Sequence, residues 1–238
     1  LYHGCVPMDE NGELSKVQVF DEEYAGKELY DVLEHYAKRG YYAKDVNERQ
    51  AGQDILWYIW NGPGSPVFGK DKMTTFERYL VAEKETHKEK KNSYYRLLEQ
   101  EEVINRILED FGLDKSNAHI INGHVPVEQI HGESPIKCGG KLLIIDGGFS
   151  KAYHKKTGNA GYTLVCNSRG MRFVAHKPFE STREAIINET DIVSEAIVVE
   201  KFPYRKLVND TDIGTALRER IYYLEQLLEA FEEGKIAE

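Results

Sequence analysis

Two short stretches put chemically loaded residues at the ends of apolar runs. His124 follows Ile120-Ile121 in HIINGHVPV, and Asp146 to Lys151 follow Leu142-Leu143-Ile144-Ile145 in LLIIDGGFSK. A neutral imidazole nitrogen is a good donor to a divalent metal ion, and a lysine ammonium is a compact charge suited to an anion. Glycines 123, 147 and 148 let the backbone turn at positive φ or come close to a ligand. His124 is therefore a candidate metal ligand and Lys151 a candidate anion contact. Asp146 is expected to shape its turn by bonding backbone amides rather than to ligate metal. On residue type alone, Gly-His-x-Pro is more often an ordinary satisfied loop histidine than a ligand. His131 and His154 lie in neighbouring loops with no spacing that gives them a role.

The elements that must carry these residues follow from periodicity. The runs at 120–121 and 142–145 have the length and flanking glycines of buried strands. Leu1-Tyr2-His3 reads as the tail of a strand entering a glycine turn, so a segment of the protein is expected upstream. Val17–Phe20 has the β-branched look of a strand, and 26–39 is spaced as a helix stopped by Gly40. The block DILWYIW at 54–60 holds both tryptophans, Trp57 and Trp60, and is expected in the core; the loop at 61–66 ends it. Residues 83–91 form a mixed charge run read as a solvated face. Asn92 is the expected cap of a helix whose stripe is Leu97, Leu98, Ile104, Ile107, Leu108 and Phe111, terminated by Gly112. Beyond the central stretch, 161–167 and 171–176 form a hairpin around Ser168-Arg169-Gly170, with both faces expected to be covered. A short helix begins near Ser181, and 196–200 is a strand. Asp210-Thr211-Asp212-Ile213-Gly214 opens a last helix whose Leu217, Ile221, Leu224, Leu228 and Phe231 are expected to face the body.

The chain has 238 residues, 41% of them hydrophobic, enough for a full core. Its net charge is −9, from 31 basic and 40 acidic residues, which argues against a general nucleic-acid binder. Three cysteines without a CxxC pair point to a reducing compartment. No apolar run reaches the ~18–20 residues of a membrane span, so a soluble, cytoplasmic protein is expected.

Taken together, HGCVP at 3–7, KMTTFERY at 72–79, HIINGHVPV, IDGGFSKAY, AGYTLV and DTDIG resemble the bacterial class III fructose-1,6-bisphosphatases of the calcineurin-like metallophosphoesterase superfamily. The resemblance implies an α/β (α+β) fold, the C-terminal part of a β-sandwich flanked by helices. Residues 1–238 would be one portion of a catalytic domain, with a helical insertion at about 26–112. It implies hydrolysis of the 1-phosphate of fructose 1,6-bisphosphate to fructose 6-phosphate, a gluconeogenic step. In this family pattern His3 and His124 hold one ion of a Mn²⁺ pair, which acidifies the attacking water and neutralises the phosphoryl oxygens. Lys151 would meet the second phosphate of the bisphosphate and Tyr153 would donate to the first, while Lys70, Lys72 and Arg78 are the further phosphate candidates. The loop departs from the superfamily pattern in reading Phe-Ser-Lys-Ala-Tyr without proline, which leaves the tyrosine's position open. The superfamily's other ligands and its catalytic histidine come from Asp-x-His, Gly-Asp-x-x-Asp-Arg and Gly-Asn-His motifs, none of which occurs here. This portion is accordingly expected to carry no catalytic residue, to bind metal weakly and to have no turnover alone. The expected partners are a sugar bisphosphate and the N-terminal remainder of the same protein, with no nucleic acid and no membrane; homo-oligomerisation stays open. Two alternatives stand beside this: a protein or dinucleoside-polyphosphate phosphatase of the same superfamily, and a non-catalytic regulatory or interaction lobe.

Overall fold

A computed structural model of the chain describes residues 1–148, 154–158, 161–176, 181–189 and 194–236. They fall into two compact units, Leu1–Gly161 and Tyr162–Glu238. The fold is mixed α and β, and among the described residues the strands form one two-stranded and two three-stranded sheets.

The first unit opens with the antiparallel pair β1 (Val17–Val19) and β2 (Glu22–Tyr24). Helices α1 (Gly26–Tyr42) and α2 (Val46–Asn61) follow, and Asp45 caps α2 by accepting from the amides of Asn47 and Glu48. Val17, Val19, Leu29, Leu33 and Ile55 make a small core between them. Gly40 does not stop α1, which runs on to Tyr42. Instead it lies where α1 crosses α2, and a Cβ there would come within 2.7 Å of the Gly52 carbonyl carbon. Trp57 and Trp60 are not core either: they are 64% and 56% exposed and stack edge-on at 5.1 Å. A single helix face meets the small core, and Ile55, Tyr58 and Ile59 fill it.

Next come α3 (Thr75–Leu80), α4 (Tyr94–Leu97) and α5 (Glu101–Asp110). The single helix expected after Asn92 is thus two, broken at 98–100. The Asn92 side chain accepts from the amides of Met8 and Tyr94, so it ties the N-terminal loop to α4. Leu97, Leu98, Ile104, Ile107 and Leu108 are buried as their spacing predicts, and Gly112, at φ +69°, turns the chain out of α5.

The central sheet contains β3 (Ile120–Asn122), β4 (Ile136–Lys137) and β5 (Leu142–Ile144), in the order β3-β5-β4. β3 and β5 are parallel, with Ile120 opposite Leu142 and Asn122 opposite Ile144. Tyr2 makes a further parallel bridge with Asn122. Leu142, Leu143 and Ile144 are all buried, which is why this run lacks polar alternation. A short helix, α6 (His154–Thr157), closes the described part of the unit.

The second unit is a sheet of β6 (Gly161–Asn167), β7 (Gly170–His176) and β8 (Ser194–Lys201) in that order, with α7 (Thr182–Ile187) between the last two in sequence. The helix begins near Ser181 as expected, and the Ser181 hydroxyl caps it by accepting from the Glu184 amide at 3.0 Å. The expectation that both hairpin faces are covered is not met: Thr163 and Cys166 on β6 and Arg172 on β7 are exposed, and the neighbouring β8 is exposed along most of its length. Helix α8 (Asp212–Glu232) starts at Thr211, whose hydroxyl accepts from the Gly214 amide. Its apolar residues Leu217, Ile221, Leu224, Leu228 and Phe231 are exposed rather than packed on a body. Amphipathic spacing specifies a helix with an apolar seam, but not what the seam meets.

Candidate functional site

Parallel strands deliver the residues after their C-terminal ends to one edge of a sheet, and there the sequence places its histidines. Tyr2 leads into His3, β3 into Gly123-His124, and β5 into Asp146. The His3 and His124 rings lie 4.6 Å apart, centre to centre, at 60° to one another.

Asn122 holds His3 in place. It is 2% exposed, and its side-chain amide donates to the carbonyls of Tyr2, His3 and Gly4 at 3.3, 3.2 and 2.8 Å. Its Oδ1 accepts from the Tyr94 hydroxyl at 3.1 Å, and that hydroxyl pairs with Tyr2 at 2.6 Å. Tyr94 has one proton and gives it to Asn122, so Tyr2 is the donor to Tyr94. Burial pushes both phenols well above their ordinary pKa, which keeps this chain of donors neutral. Gly4 is glycine for a steric reason: a Cβ there would run into the Pro66 and Val67 carbonyls of the loop lying over it. Sequence reasoning passed over Asn122, although a polar residue between an apolar strand and Gly-His was a visible signal.

His124 has φ +71°, a left-handed conformation that histidine tolerates better than branched residues do. Partial desolvation lowers its pKa from the ordinary value; the His3 ring and the charge of Lys70 lower it further, against the opposing charge of Asp146. A neutral imidazole at physiological pH is a metal donor. Asp146 accepts the Gly148 amide at 2.9 Å, the turn-shaping role expected of it, while its carbonyl accepts from Val127. Two imidazoles fit half of a divalent-cation site. Among the described residues no group of three or more His, Cys, Asp or Glu side chains completes one.

The three basic candidates are held by internal partners. Glu89, whose side chain is 14% exposed, accepts from Lys70 at 2.6 Å and from the Thr74 amide and hydroxyl at 3.0 and 2.9 Å; Arg78 stands 3.6 Å away. Burial by itself would raise the Glu89 carboxyl, but the bonds from Lys70 and Thr74 outweigh it and hold the pKa at about 2. Arg78 also bonds the Thr74 hydroxyl, and Lys72 reaches the Thr86 carbonyl at 3.4 Å. The 83–91 run is therefore not simply a solvated face, because Glu89 anchors KMTTFERY. Of the three, Lys70 bears on the His124 imidazole through its charge.

Lys91 was missed by the sequence reading. An antiparallel bridge sets Lys70 beside Lys91, and both charges act on His124. The Lys91 ammonium stands 5.8 Å from the centre of the Tyr95 ring and its charge also acts on Glu133, with no ion pair to Lys91 among the described residues. It lines a cleft of about 150 Å³ with Asn122, Val125, Pro126, Glu128 and Glu133. By type it is indistinguishable from Lys84, Lys88 and Lys90 just before it. Lys151 and Tyr153 lie outside the described residues. His131 is exposed 3.9 Å from Glu128, away from the histidine pair's bonding.

Parallel strand ends that bring two imidazoles together beside an aspartate and two lysines define a mixed α/β protein with a candidate metal and anion site. The chain belongs to the Firmicute fructose-1,6-bisphosphatase family, whose sequence model matches residues 1–233. It is 52% identical over 236 residues to fructose-1,6-bisphosphatase class 3 1 of Clostridium beijerinckii, covering 99% of this chain and 36% of that protein. It is 53% identical over 239 residues to the class 3 enzyme of Clostridioides difficile and 51% identical to that of Clostridium acetobutylicum, covering 36% of each. The chain thus spans about 36% of the length of the curated relatives it matches. No solved structure matches it.

Proposed function

We propose that this chain is the C-terminal portion of a class 3 fructose-1,6-bisphosphatase, and that the complete protein hydrolyses the 1-phosphate of fructose 1,6-bisphosphate in the cytoplasm as a gluconeogenic step. The supporting observation is the approach of His3 and His124 to 4.6 Å at the ends of parallel strands, in a chain of this family. His3 and His124 would hold one ion of a Mn²⁺ pair, and upstream carboxylates and histidines would supply the rest. When bound, the ions acidify the attacking water and neutralise charge on the phosphoryl oxygens. Asn122 keeps His3 oriented, and Lys70 and Lys91 set a positive field at the strand ends for an anionic substrate. Lys151 meets the second phosphate and Tyr153 donates to the first. Among the described residues no helix is long and apolar enough to cross a membrane.

The test measures phosphate release from fructose 1,6-bisphosphate with Mn²⁺, comparing this chain with one extended upstream to the relatives' full length. The extended protein should turn over and lose at least a hundredfold in kcat/KM as His124→Asn, while the short chain stays at background. Full activity in the short chain, or an extended protein indifferent to the His124 substitution, would refute the assignment.

A further inference from the structure

The second unit holds a cavity of about 480 Å³, in the range of small-molecule sites, that shares no residue with the histidine pair. It is formed where the β6-β7 turn meets the segment leaving β8. Two backbone bonds join these segments: Phe202 donates to the Arg169 carbonyl at 3.0 Å and Lys206 to the Ser168 carbonyl at 2.8 Å. The lining includes Arg169, Arg172, Lys201 and Arg205 against one carboxylate, Glu200. That is four positive charges to one negative, in a chain whose overall charge is −9.

Several cations elsewhere are paired: Lys70 with Glu89, Lys137 with Glu133 and Glu99, Lys141 with Glu101. None of the four around the cavity makes an ion pair among the described residues. Like charges gathered around one concavity repel, and that cost is offset where an external anion occupies it. Guanidinium groups present paired donors matched to phosphate oxygens, and three of the four cations are arginines. Tyr204, 84% exposed, stands at the rim, and Lys206 sits 4.1 Å over the Phe202 ring, so that aromatic face is already taken.

We propose that this cavity is a second anion site, taking a small phosphorylated molecule held by Arg169, Arg172, Lys201 and Arg205. It does not depend on the hydrolase reading. The same chemistry describes a free phosphate ester and the headgroup of an acidic lipid. The modest size of the cavity and the acidic character of the whole chain favour the free ester.

The experiment is a titration of the ¹⁵N-labelled chain with inorganic phosphate and with glycerol 3-phosphate, at constant ionic strength maintained with NaCl. Amides of Gly170, Met171, Phe202 and Arg205 are expected to shift and saturate at millimolar ligand. Arg172→Gln with Arg205→Gln should weaken that binding at least tenfold with the remaining spectrum unchanged. Arg172→Lys with Arg205→Lys, keeping the charge, should fall between the two and covers the case of a misfolded glutamine variant. His124→Asn should leave these shifts intact, which separates the site from the histidine pair. Shifts that chloride reproduces, shifts that survive both double variants, or a response only to phosphatidic acid vesicles and not to the free ions would each overturn the proposal.

Discussion

Asn122 links the two candidate ligands: it precedes Gly123-His124 in the chain and its side chain clamps the carbonyls around His3. Replacing it with alanine leaves those carbonyls and the Tyr94 hydroxyl short of partners in a buried place, where an unmet hydrogen bond costs about 1–3 kcal/mol. Asn122→Ala should lower the unfolding free energy by about that much in urea and erase the nuclear Overhauser contact between the His3 and His124 rings. Unchanged stability with the contact retained would remove Asn122 as the positioning residue. Glu89 gives the fold a pH dependence. Its folded pKa of about 2 lies below the ordinary carboxylate value of 4.5, so the unfolded chain binds more protons in that interval. The stabilisation is therefore complete above about pH 4.5 and is lost as pH falls toward 2. Lys70→Met should cost about 1 kcal/mol near neutrality, as expected of a partly exposed pair, with the difference from the parent chain closing by pH 2. A difference that persisted at pH 2 would show that Lys70 acts through packing and not through charge.

At the level of elements, the crossing of α1 and α2 depends on two glycines facing each other. Alanine at position 52 gains about 1 kcal/mol of intrinsic helix propensity, but its Cβ would collide with the Gly40 backbone and the Tyr36 carbonyl. Backbone cannot swing aside as a side-chain tip can, and overpacking of this kind costs about 1–3 kcal/mol or more. The clash outweighs the propensity, so Gly52→Ala should lower Tm by a few degrees, at about 2–4 °C per kcal/mol for a chain of this size. A raised Tm would mean the helices do not approach as described. Helix α1 was legible from its apolar spacing, as were the buried runs of β3 and β5 and the short helix near Ser181, whereas α2 was not, because the apolar block at 54–60 shows no single stripe that marks a helix. Gly40 was not, because a helix stop and a close crossing both ask for glycine. Nor was the exposure of Trp57 and Trp60, because size and apolarity state a preference for burial without naming a face to bury against.

Across the whole molecule, chemistry was legible where a residue type is rare and its neighbours are distinctive. His3-Gly4 and Gly123-His124, each after an apolar tail, could be singled out in one dimension, and the family match over residues 1–233 agrees with the resemblance those motifs carry. Charge was not legible in this way. Lys70, Lys72, Arg78 and Lys91 look alike along the chain, yet three are held by Glu89 or by backbone carbonyls and one faces the cleft without an ion pair among the described residues. The basic cavity of the second unit is assembled from two segments about thirty residues apart, and no local pattern announces it. The sequence alone determined several of the helices and the buried strands, which side chains can bind a metal, and which family the chain belongs to. Only the tertiary structure decided which of those side chains meet, since the 4.6 Å between His3 and His124 depends on Tyr2 and β3 lying side by side in one sheet. Periodicity along a chain encodes local geometry, whereas the approach of residues more than a hundred positions apart is set by packing and by buried hydrogen bonds such as those of Asn122.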